Sequence, residues 1–359
     1  MKIEQGEKWM KSKKVMALSL SLLLSVGFLT GKTEAATKPN GGQWVSSVIN
    51  YKNIGTNASY KGYWNTAAGR WTDTTHVIMS VGTKNNFEAG NYNAGKVYWD
   101  GQNEYIINSH GDFTYMRAWL NSYYTDGPPY SKSIVEGVAT HEFGHALGLS
   151  HNDSAPSVMA SHTFNTDGSL ARTNNFPKKD DTDTLKKIYG TITFAGMEKQ
   201  TDLIPLGSSE NHVILSPSYH VGYKSIEELA SYADLIVEGE ITDKSKLKKD
   251  APEIFISYRT ERSIKVKDVL KGNKLMAGQE ITFEQMGGAD TFATVVSEDS
   301  TPLKKGEKVI LFFEKSDDGS YSLMNDNTSI FVGELGNDNY KYLKDQTKFN
   351  KTSLQMKIK

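Results

Sequence analysis

One short segment constrains this chain more than any other: residues 141–151 read His-Glu-Phe-Gly-His-Ala-Leu-Gly-Leu-Ser-His. Three of the eight histidines fall inside it. Residues four apart share one face of a helix, so His141 and His145 can point at the same ion. Gly148 predicts a left-handed turn that ends the helix and brings His151 back toward that ion. The segment therefore predicts a helix, a tight turn and a third histidine that folds back.

These residue types favour a metal centre with catalytic chemistry. Three neutral imidazoles with one position left open are typical of a catalytic zinc site rather than a closed structural one. Two histidines four apart are more often a solvated helix face, but five specified positions at fixed spacing make that interpretation weak. We therefore predict one catalytic zinc ion held by His141, His145 and His151. Glu142 is placed to reach a water on that ion and is predicted to be the catalytic residue.

The segment resembles the extended zinc signature of the metzincin metallopeptidases, and its wording is most similar to the matrixin branch. Eight residues after His151, Met159 lies in a Ser-Val-Met-Ala sequence similar to the family's Met-turn, which implies an apolar floor beneath the metal. Residues 180–190 resemble the closing helix of matrixin catalytic domains, including its final Tyr-Gly. The resemblance covers about residues 41 to 190, most strongly over the last part of that range.

Three departures from the family pattern matter. Ser161 stands two residues after the methionine, where the astacin and serralysin branches have a tyrosine ligand. Asn152 follows the third histidine, in place of the serine usual in matrixins. The chain has no cysteine, so the thiolate that blocks the zinc in many relatives is excluded. We expect a site with three histidine ligands and no cysteine switch.

The resemblance implies an α+β fold: a twisted, mostly parallel sheet, an active-site helix and a small C-terminal subdomain. Ser133 with Glu136 predicts a capping box at the start of the active-site helix. Apolar residues at helical spacing predict another helix that packs on the sheet, namely Tyr60, Trp64, Ala67, Ala68 and Trp71. Strands are expected at residues 48–53, 76–80, 96–99, 105–108 and 115–120. We expect an extended peptide substrate to add to an exposed strand edge above the active-site helix.

The predicted chemistry is hydrolysis of peptide bonds. Zinc would lower the pKa of a bound water to near 7 and polarise the peptide carbonyl. Glu142 would accept the proton of that water and deliver it to the departing amine.

The N-terminus predicts export. Lysines are followed by an apolar run over residues 15–29 and then by Thr-Glu-Ala-Ala, so residues 1–36 are interpreted as a secretory signal peptide. The run is short for a membrane span, and Met10 is an alternative start. The absence of cysteine excludes a lipid anchor and disulfides, in keeping with an extracellular bacterial protein. Little sequence separates the signal from the first strand, so we expect no folded prodomain and interpret export itself as the control of activity.

After processing, about 320 residues would remain, which favours two domains. We predict a matrixin-like zinc metallopeptidase domain over residues 37–190 and a linker over residues 191–225. Residues 226–359 are predicted to form an all-β small barrel or sheet, because short alternating runs are separated by turn residues. These runs are residues 235–239, 254–258, 264–266, 281–283, 309–313 and 329–332. The role of this module stays open among substrate tethering, wall attachment, latency and stability.

Other candidate ligands are weaker. His110 and Asp112 are reminiscent of a matrixin structural zinc site, but the remaining ligands cannot be placed, so polar loop residues are the better interpretation. Calcium could bind loops near Asp126, Asn152 or Asp153, without an assignable ligand pattern. His212 and His220 are interpreted as surface or core residues.

Three functions are compatible with the sequence. The leading one is a secreted zinc endopeptidase acting on extracellular proteins, expected to be a monomer with protein or peptide substrates. A cell-wall peptide hydrolase would share the motif and differ only in substrate, with the β module setting the target. A secreted binding or adhesion protein is the third, but it would not need Glu142. The net charge of −1 and the lack of a second apolar segment argue against nucleic acid partners and stable membrane insertion.

Overall fold

The structure, a computed structural model, describes residues 36–83, 86–154, 156–190, 211–251, 254–316 and 319–358. The predicted signal peptide lies outside these residues except for Ala36, and so do residues 191–210 of the predicted linker. Among the described residues, no helix combines the length and the apolar character needed to cross a membrane.

The first half of the chain alternates strands with two long helices. Its elements are β1 (Val48–Asn53), α1 (Ala58–Thr74), β2 (Ile78–Val81), β3 (Phe87–Tyr92), β4 (Trp99–Ile107), β5 (Phe113–Asn121), α2 (Ser122–Thr125), α3 (Lys132–Ala146), β6 (His162–Asn165) and α4 (Lys179–Tyr189). The sheet runs β2-β1-β3-β5-β4; the first four strands are parallel, and β4 is antiparallel to β5. This agrees with the mixed α/β catalytic fold implied by the resemblance.

Helix α1 forms where the apolar spacing predicts it. The side chain of Asn57 accepts hydrogen bonds from two backbone N–H groups and caps the first turn. The five apolar residues singled out above are all buried. Trp64 lies against Phe143 of α3, with ring centroids 4.9 Å apart, and the indole N–H of Trp71 donates to the carbonyl of Thr140 at 2.8 Å. These contacts fix α1 against the helix that carries the first two histidines.

The second half is mostly strand. Its elements are β7 (Asn211–Gly222), α5 (Ile226–Tyr232), β8 (Leu235–Lys249), β9 (Tyr258–Lys271), β10 (Glu280–Met286), β11 (Gly288–Ala289), β12 (Ala293–Ser297), β13 (Lys308–Lys315), β14 (Tyr321–Leu323), β15 (Ile330–Gly333), β16 (Asn339–Tyr342), β17 (Lys348–Asn350) and α6 (Lys351–Ile358). Strand β14 pairs with both β10 and β13, which closes a ring β14-β10-β9-β8-β13; β15, β16 and β17 extend it. The strands agree with the expected small barrel, but α5 and α6 make this region more than all-β.

The two halves share one sheet. Strand β7 pairs antiparallel with β4, and β12 pairs parallel with β7, so the order becomes β11-β12-β7-β4-β5-β3-β1-β2. The described residues of both halves belong to a single compact unit. Residues 211–222, which were expected to be linker, are instead the strand that joins the halves. The predicted domain boundaries themselves stay a prediction.

Several local predictions need correction. Ser131, not Ser133, caps α3, and Glu136 forms a salt bridge of 2.8 Å with Arg70 rather than closing a capping box. Residues 96–98 are not strand, because β4 begins at Trp99. The run predicted at 254–258 contains a 3-10 turn, Phe255–Ser257. Strand β3 had no prediction, since its mixed polar sequence lacks clear alternation.

Candidate metal centre

Helix α3 carries the first two histidines on a rigid support. Its N-cap, Ser131, accepts a hydrogen bond from the backbone N–H of Ile134. Val135, Val138 and Ala139 face the core and are fully buried. Because these side chains pack in the core, they keep the two histidines of the same helix in a fixed direction, which metal ligation requires.

The three histidines of the motif converge. Nε2 of His145 lies 2.9 Å from Nε2 of His141 and 3.2 Å from Nε2 of His151. Among the described residues, these three form the one group of histidine, cysteine or acidic side chains whose ligand atoms lie within 4.8 Å of one another. The pattern in the sequence therefore corresponds to a real cluster in space.

The hydrogen bonds at the other ring nitrogens show what this cluster can bind. Nδ1 of His141 lies 2.9 Å from the carbonyl of Val158, and Nδ1 of His145 lies 2.7 Å from the carbonyl of Leu149. A carbonyl only accepts, so each Nδ1 carries the proton and each Nε2 of a neutral ring presents a lone pair. Burial lowers the pKa of both rings well below the ordinary value, which keeps them neutral. Lone pairs facing one another at such distances fit a cation between them, and an all-imidazole donor set suits zinc.

Gly148 makes the return of the third histidine possible. Its φ is +99°, the left-handed region expected for a residue that ends a helix. A Cβ at this position would lie 2.3 Å from the carbonyl oxygen of Gly42, so the turn has room only for glycine. The predicted turn is confirmed.

Met159 lies on the apolar side of the cluster. It is completely buried, and a Cβ at Gly144 of α3 would lie 2.2 Å from its sulfur atom. Its neighbour Val158 supplies the carbonyl that orients His141. The hydroxyl of Ser161 donates to Asp153 at 2.8 Å and lies 3.1 Å from Nδ1 of His162, which is not one of the three histidines of the cluster.

Glu142 is held by two residues of β4 that the sequence did not single out. The side-chain amide of Asn103 donates to Oε2 of Glu142 at 2.5 Å and to its backbone carbonyl at 2.9 Å. A Cβ at Gly101 would lie 2.3 Å from Oε1 of Glu142, so glycine allows the strand to approach the helix at this point. Oε1 has no hydrogen-bond partner among the described residues. Neither residue could be found from spacing alone, because the contact crosses 39 positions.

Charge around Glu142 comes from side chains that meet only in the folded chain. Burial raises the pKa of Glu142 well above its ordinary value, and Asp100 adds to this. The guanidinium of Arg172 and the amide of Asn103 oppose the rise. Arg172 is itself buried, with donors to the carbonyl of Ala160 at 2.9 Å and to Oγ of Ser218 at 2.7 Å. The carboxylate therefore lies in a fully buried site with one buried positive charge nearby.

The weaker candidates do not join this cluster. Asp112 bonds to Asn108 within a loop, and His110 is exposed there, in agreement with polar loop residues. Asp126 accepts a hydrogen bond from Tyr60, and Asp153 accepts two from Ser161, so these carboxylates are engaged within the protein. The calcium expectation gains no support from the described residues. His212 is exposed, and His220 is partly buried against Tyr124, with ring centroids 4.3 Å apart.

Among the comparisons with known proteins, the family match agrees with this geometry. No curated protein matches the chain. The structure of myroilysin is similar over 44% of this chain and 97% of its own chain, with 14% sequence identity and a TM-score of 0.28. The family model described as matrixin matches residues 51–190, the stretch that contains the three histidines, Met159 and α4. Residues 51–190 of this chain therefore form a matrixin-like metzincin domain.

Proposed function

We propose that this chain is a secreted zinc-dependent endopeptidase that hydrolyses peptide bonds of extracellular proteins, with Glu142 as the general base. The convergence of three imidazole lone pairs beside a buried carboxylate is the observation that supports it. The match of residues 51–190 to matrixins supports the same reaction class. Secretion rests on the sequence of residues 1–36 alone.

Each side chain described above has a separate role in the proposed reaction. His141, His145 and His151 would hold the zinc, which supplies Lewis-acid activation of water and of the scissile carbonyl. The carbonyls of Val158 and Leu149 fix the tautomer of two of these rings, so their Nε2 lone pairs would be available to a bound metal. Met159 fills the space behind them and keeps water out.

Glu142 moves the proton. Asn103 holds Oε2, which leaves Oε1 as the acceptor without a partner. That oxygen can take the proton from the attacking water and release it to the departing amine. The buried surroundings raise the proton affinity of the carboxylate, which favours the acceptance step.

The test compares wild type with Glu142→Gln and with the matched control Glu240→Gln, an exposed residue of β8. We expect all three proteins to bind one zinc ion. Hydrolysis of casein should fall by about 10²–10⁴-fold in Glu142→Gln, the range typical of a lost general base, and stay unchanged in the control. Casein hydrolysis that is detectable and equal in wild type and Glu142→Gln, or a wild type that binds no zinc, would contradict the proposal.

A further inference from the structure

The edge of the sheet beside the metal centre is already occupied by the chain itself. Within the matrixin-like domain, β4 and β2 are the two outer strands of the sheet, and β4 is the one that contacts Glu142. We propose that β7, together with Glu298 and Asp299, is a built-in inhibitor that occupies the substrate position, so that this fold is a latent form of the enzyme. The inference rests on the proposed peptidase function and names its regulation.

The register places β7 where an added peptide would lie. Ser218 is opposite Gly101, Pro217 is opposite Gln102, and Ser216 is opposite Asn103. An extended peptide that adds to an edge strand makes the same backbone pairing. Since β4 offers that edge only once, β7 and a substrate exclude each other.

Side chains of the inhibitor segment also reach the metal centre. Oγ of Ser216 lies 3.4 Å from Nδ1 of His145. Oδ2 of Asp299 lies 3.8 Å from Nδ1 of His151. The segment therefore contacts the rings that hold the metal, and does so from a part of the chain outside the matrixin-like domain.

Burial shows the consequence for access. His141, Glu142 and His145 are each 0% exposed, and the side chain of His151 is 17% exposed. A peptide carbonyl must reach the open position of the metal and Glu142 together. In this conformation β7 lies on the strand edge where the sequence predicted an added peptide, and His141, Glu142 and His145 have no exposed surface.

The inhibitor segment is anchored by packing on the C-terminal half. Val213 and Leu215 are completely buried in a cluster with Trp99, Trp119 and Val295. Strand β12 pairs with β7 along its outer side, and the backbone N–H of Glu298 donates to the carbonyl of Leu215 at 2.9 Å. Opening therefore requires local unfolding of β7 from both neighbours, which is a rare event in the intact chain.

The carboxylate of Glu298 ties the segment to β4. It accepts hydrogen bonds from the hydroxyl of Ser216, at 2.7 Å, and from the hydroxyl of Tyr105. Burial raises the pKa of Glu298. Release of the active enzyme would follow displacement of β7 by a substrate or a partner, or cleavage of the chain that frees it.

The first experiment locks the strand. Gln102→Cys/Pro217→Cys introduces the only two cysteines of the chain at opposed positions of β4 and β7. Opposed residues in antiparallel strands have Cα atoms about 4.5–5.5 Å apart, within the range that a disulfide bridges. The oxidised and reduced forms are then matched controls of each other. The readouts on zinc-loaded protein are casein hydrolysis and binding of a fluorescent dipeptidyl hydroxamate, whose hydroxamate group chelates zinc.

The second experiment loosens the strand. Leu215→Ala removes a buried anchor of β7, and the matched control Leu311→Ala removes an equally buried leucine from β13, outside the inhibitor segment. Both variants lose stability. Only Leu215→Ala should raise hydroxamate affinity and hydrolysis, by at least about 10-fold, because apparent affinity scales with the open fraction. Hydrogen exchange over residues 211–222 should accelerate when the hydroxamate binds.

The outcomes separate the two proposals. Weaker hydroxamate binding in the oxidised double variant than in the reduced one, with stronger binding in Leu215→Ala, supports the inhibitor. Equal binding in oxidised and reduced forms, or in Leu215→Ala and wild type, overturns it, as does unchanged hydrogen exchange. If binding responds as expected but the Leu215→Ala protein hydrolyses no peptide, the inhibitor stands and the endopeptidase proposal fails.

Discussion

The segment that carries the three converging histidines and the strand that covers it are built in opposite ways. From α3 to His151, the rings, the turn at Gly148 and the carbonyl of Leu149 lie within a few residues of one another. Strand β7 reaches the same rings from 71 positions away, and its anchors lie farther still along the chain. Ligation is therefore a local property, whereas access depends on packing between distant segments. Changes in one region should leave the other largely intact.

The largest expected effect is in the local region. His145→Ala removes the central member of the cluster, so zinc should be lost and hydrolysis should fall by at least about 10³-fold, since the metal provides both activation steps. The check is zinc content with casein hydrolysis. His212→Ala, an exposed histidine of β7, is the control and should keep both. Full zinc content in His145→Ala would refute the ligand assignment.

A pH dependence of stability is expected from Asp326, which lies in the C-terminal half of the chain. Burial raises the pKa of Asp326 to about 7; the hydrogen bond from Tyr98 lowers it, and the charge of Asp299 raises it. The folded state thus holds a proton that the unfolded state releases near pH 4. The stabilisation that comes from this bound proton is complete below about pH 4 and is lost as pH rises through about 7. The loss is about 4 kcal/mol at most, at 1.36 kcal/mol per pKa unit.

The measurement is the free energy of unfolding in urea from pH 4 to pH 8. Wild type should lose stability over this range relative to Asp326→Asn, which cannot titrate. Asp243→Asn, at an exposed carboxylate, serves as the control and should follow wild type. Parallel pH profiles for wild type and Asp326→Asn would show that this buried carboxyl is not protonated in the folded chain.

A smaller effect is expected at the turn. Gly148→Ala adds a Cβ 2.3 Å from the carbonyl oxygen of Gly42 at a φ of +99°. We expect a loss of about 1–3 kcal/mol and lower zinc affinity, because His151 follows the turn. Gly95→Ala has φ of +71° and open space around its Cβ, so it isolates the backbone strain. Urea midpoints and zinc titrations measure both; equal losses in the two variants would mean that the contact with Gly42 relaxes at no cost.

The smallest effect concerns the positioning of the base. Asn103→Ala removes the hydrogen bond to Oε2 of Glu142 and should lower kcat by about 10-fold, with zinc content and KM unchanged. Asn337→Ala, an exposed loop residue, is the control. A change in KM alone would indicate that Asn103 contacts substrate instead.

Sequence patterns predicted most of the matrixin-like domain. Helical spacing located α1, and the resemblance located α4 and the Met-turn. Alternation failed for β3, whose mixed residues are buried on both faces between parallel neighbours. The start of α3 was misplaced by two residues because Ser131 and Ser133 are equally good caps in isolation.

The residues of the site likewise include some that the sequence predicted and others that it did not. The identity of the three histidines, Glu142, Met159 and the turn at Gly148 followed from the sequence, because their geometry is set by helix periodicity and one left-handed residue. Asn103, Gly101 and Arg172 could not be found, because the first two contact Glu142 from a distant strand and the third acts on it through its charge, with no local signature. The expectation of a free strand edge is corrected by β7, which lies on it.

By itself, then, the sequence determined which three imidazoles converge and which carboxylate lies beside them. Short-range geometry dictates both, and eleven consecutive residues suffice to encode them. Only the tertiary structure decided whether anything can reach that centre. Strand pairing is available to any extended segment, and the choice of β7 depends on side chains such as Leu215 and Val213 that pack far from the motif.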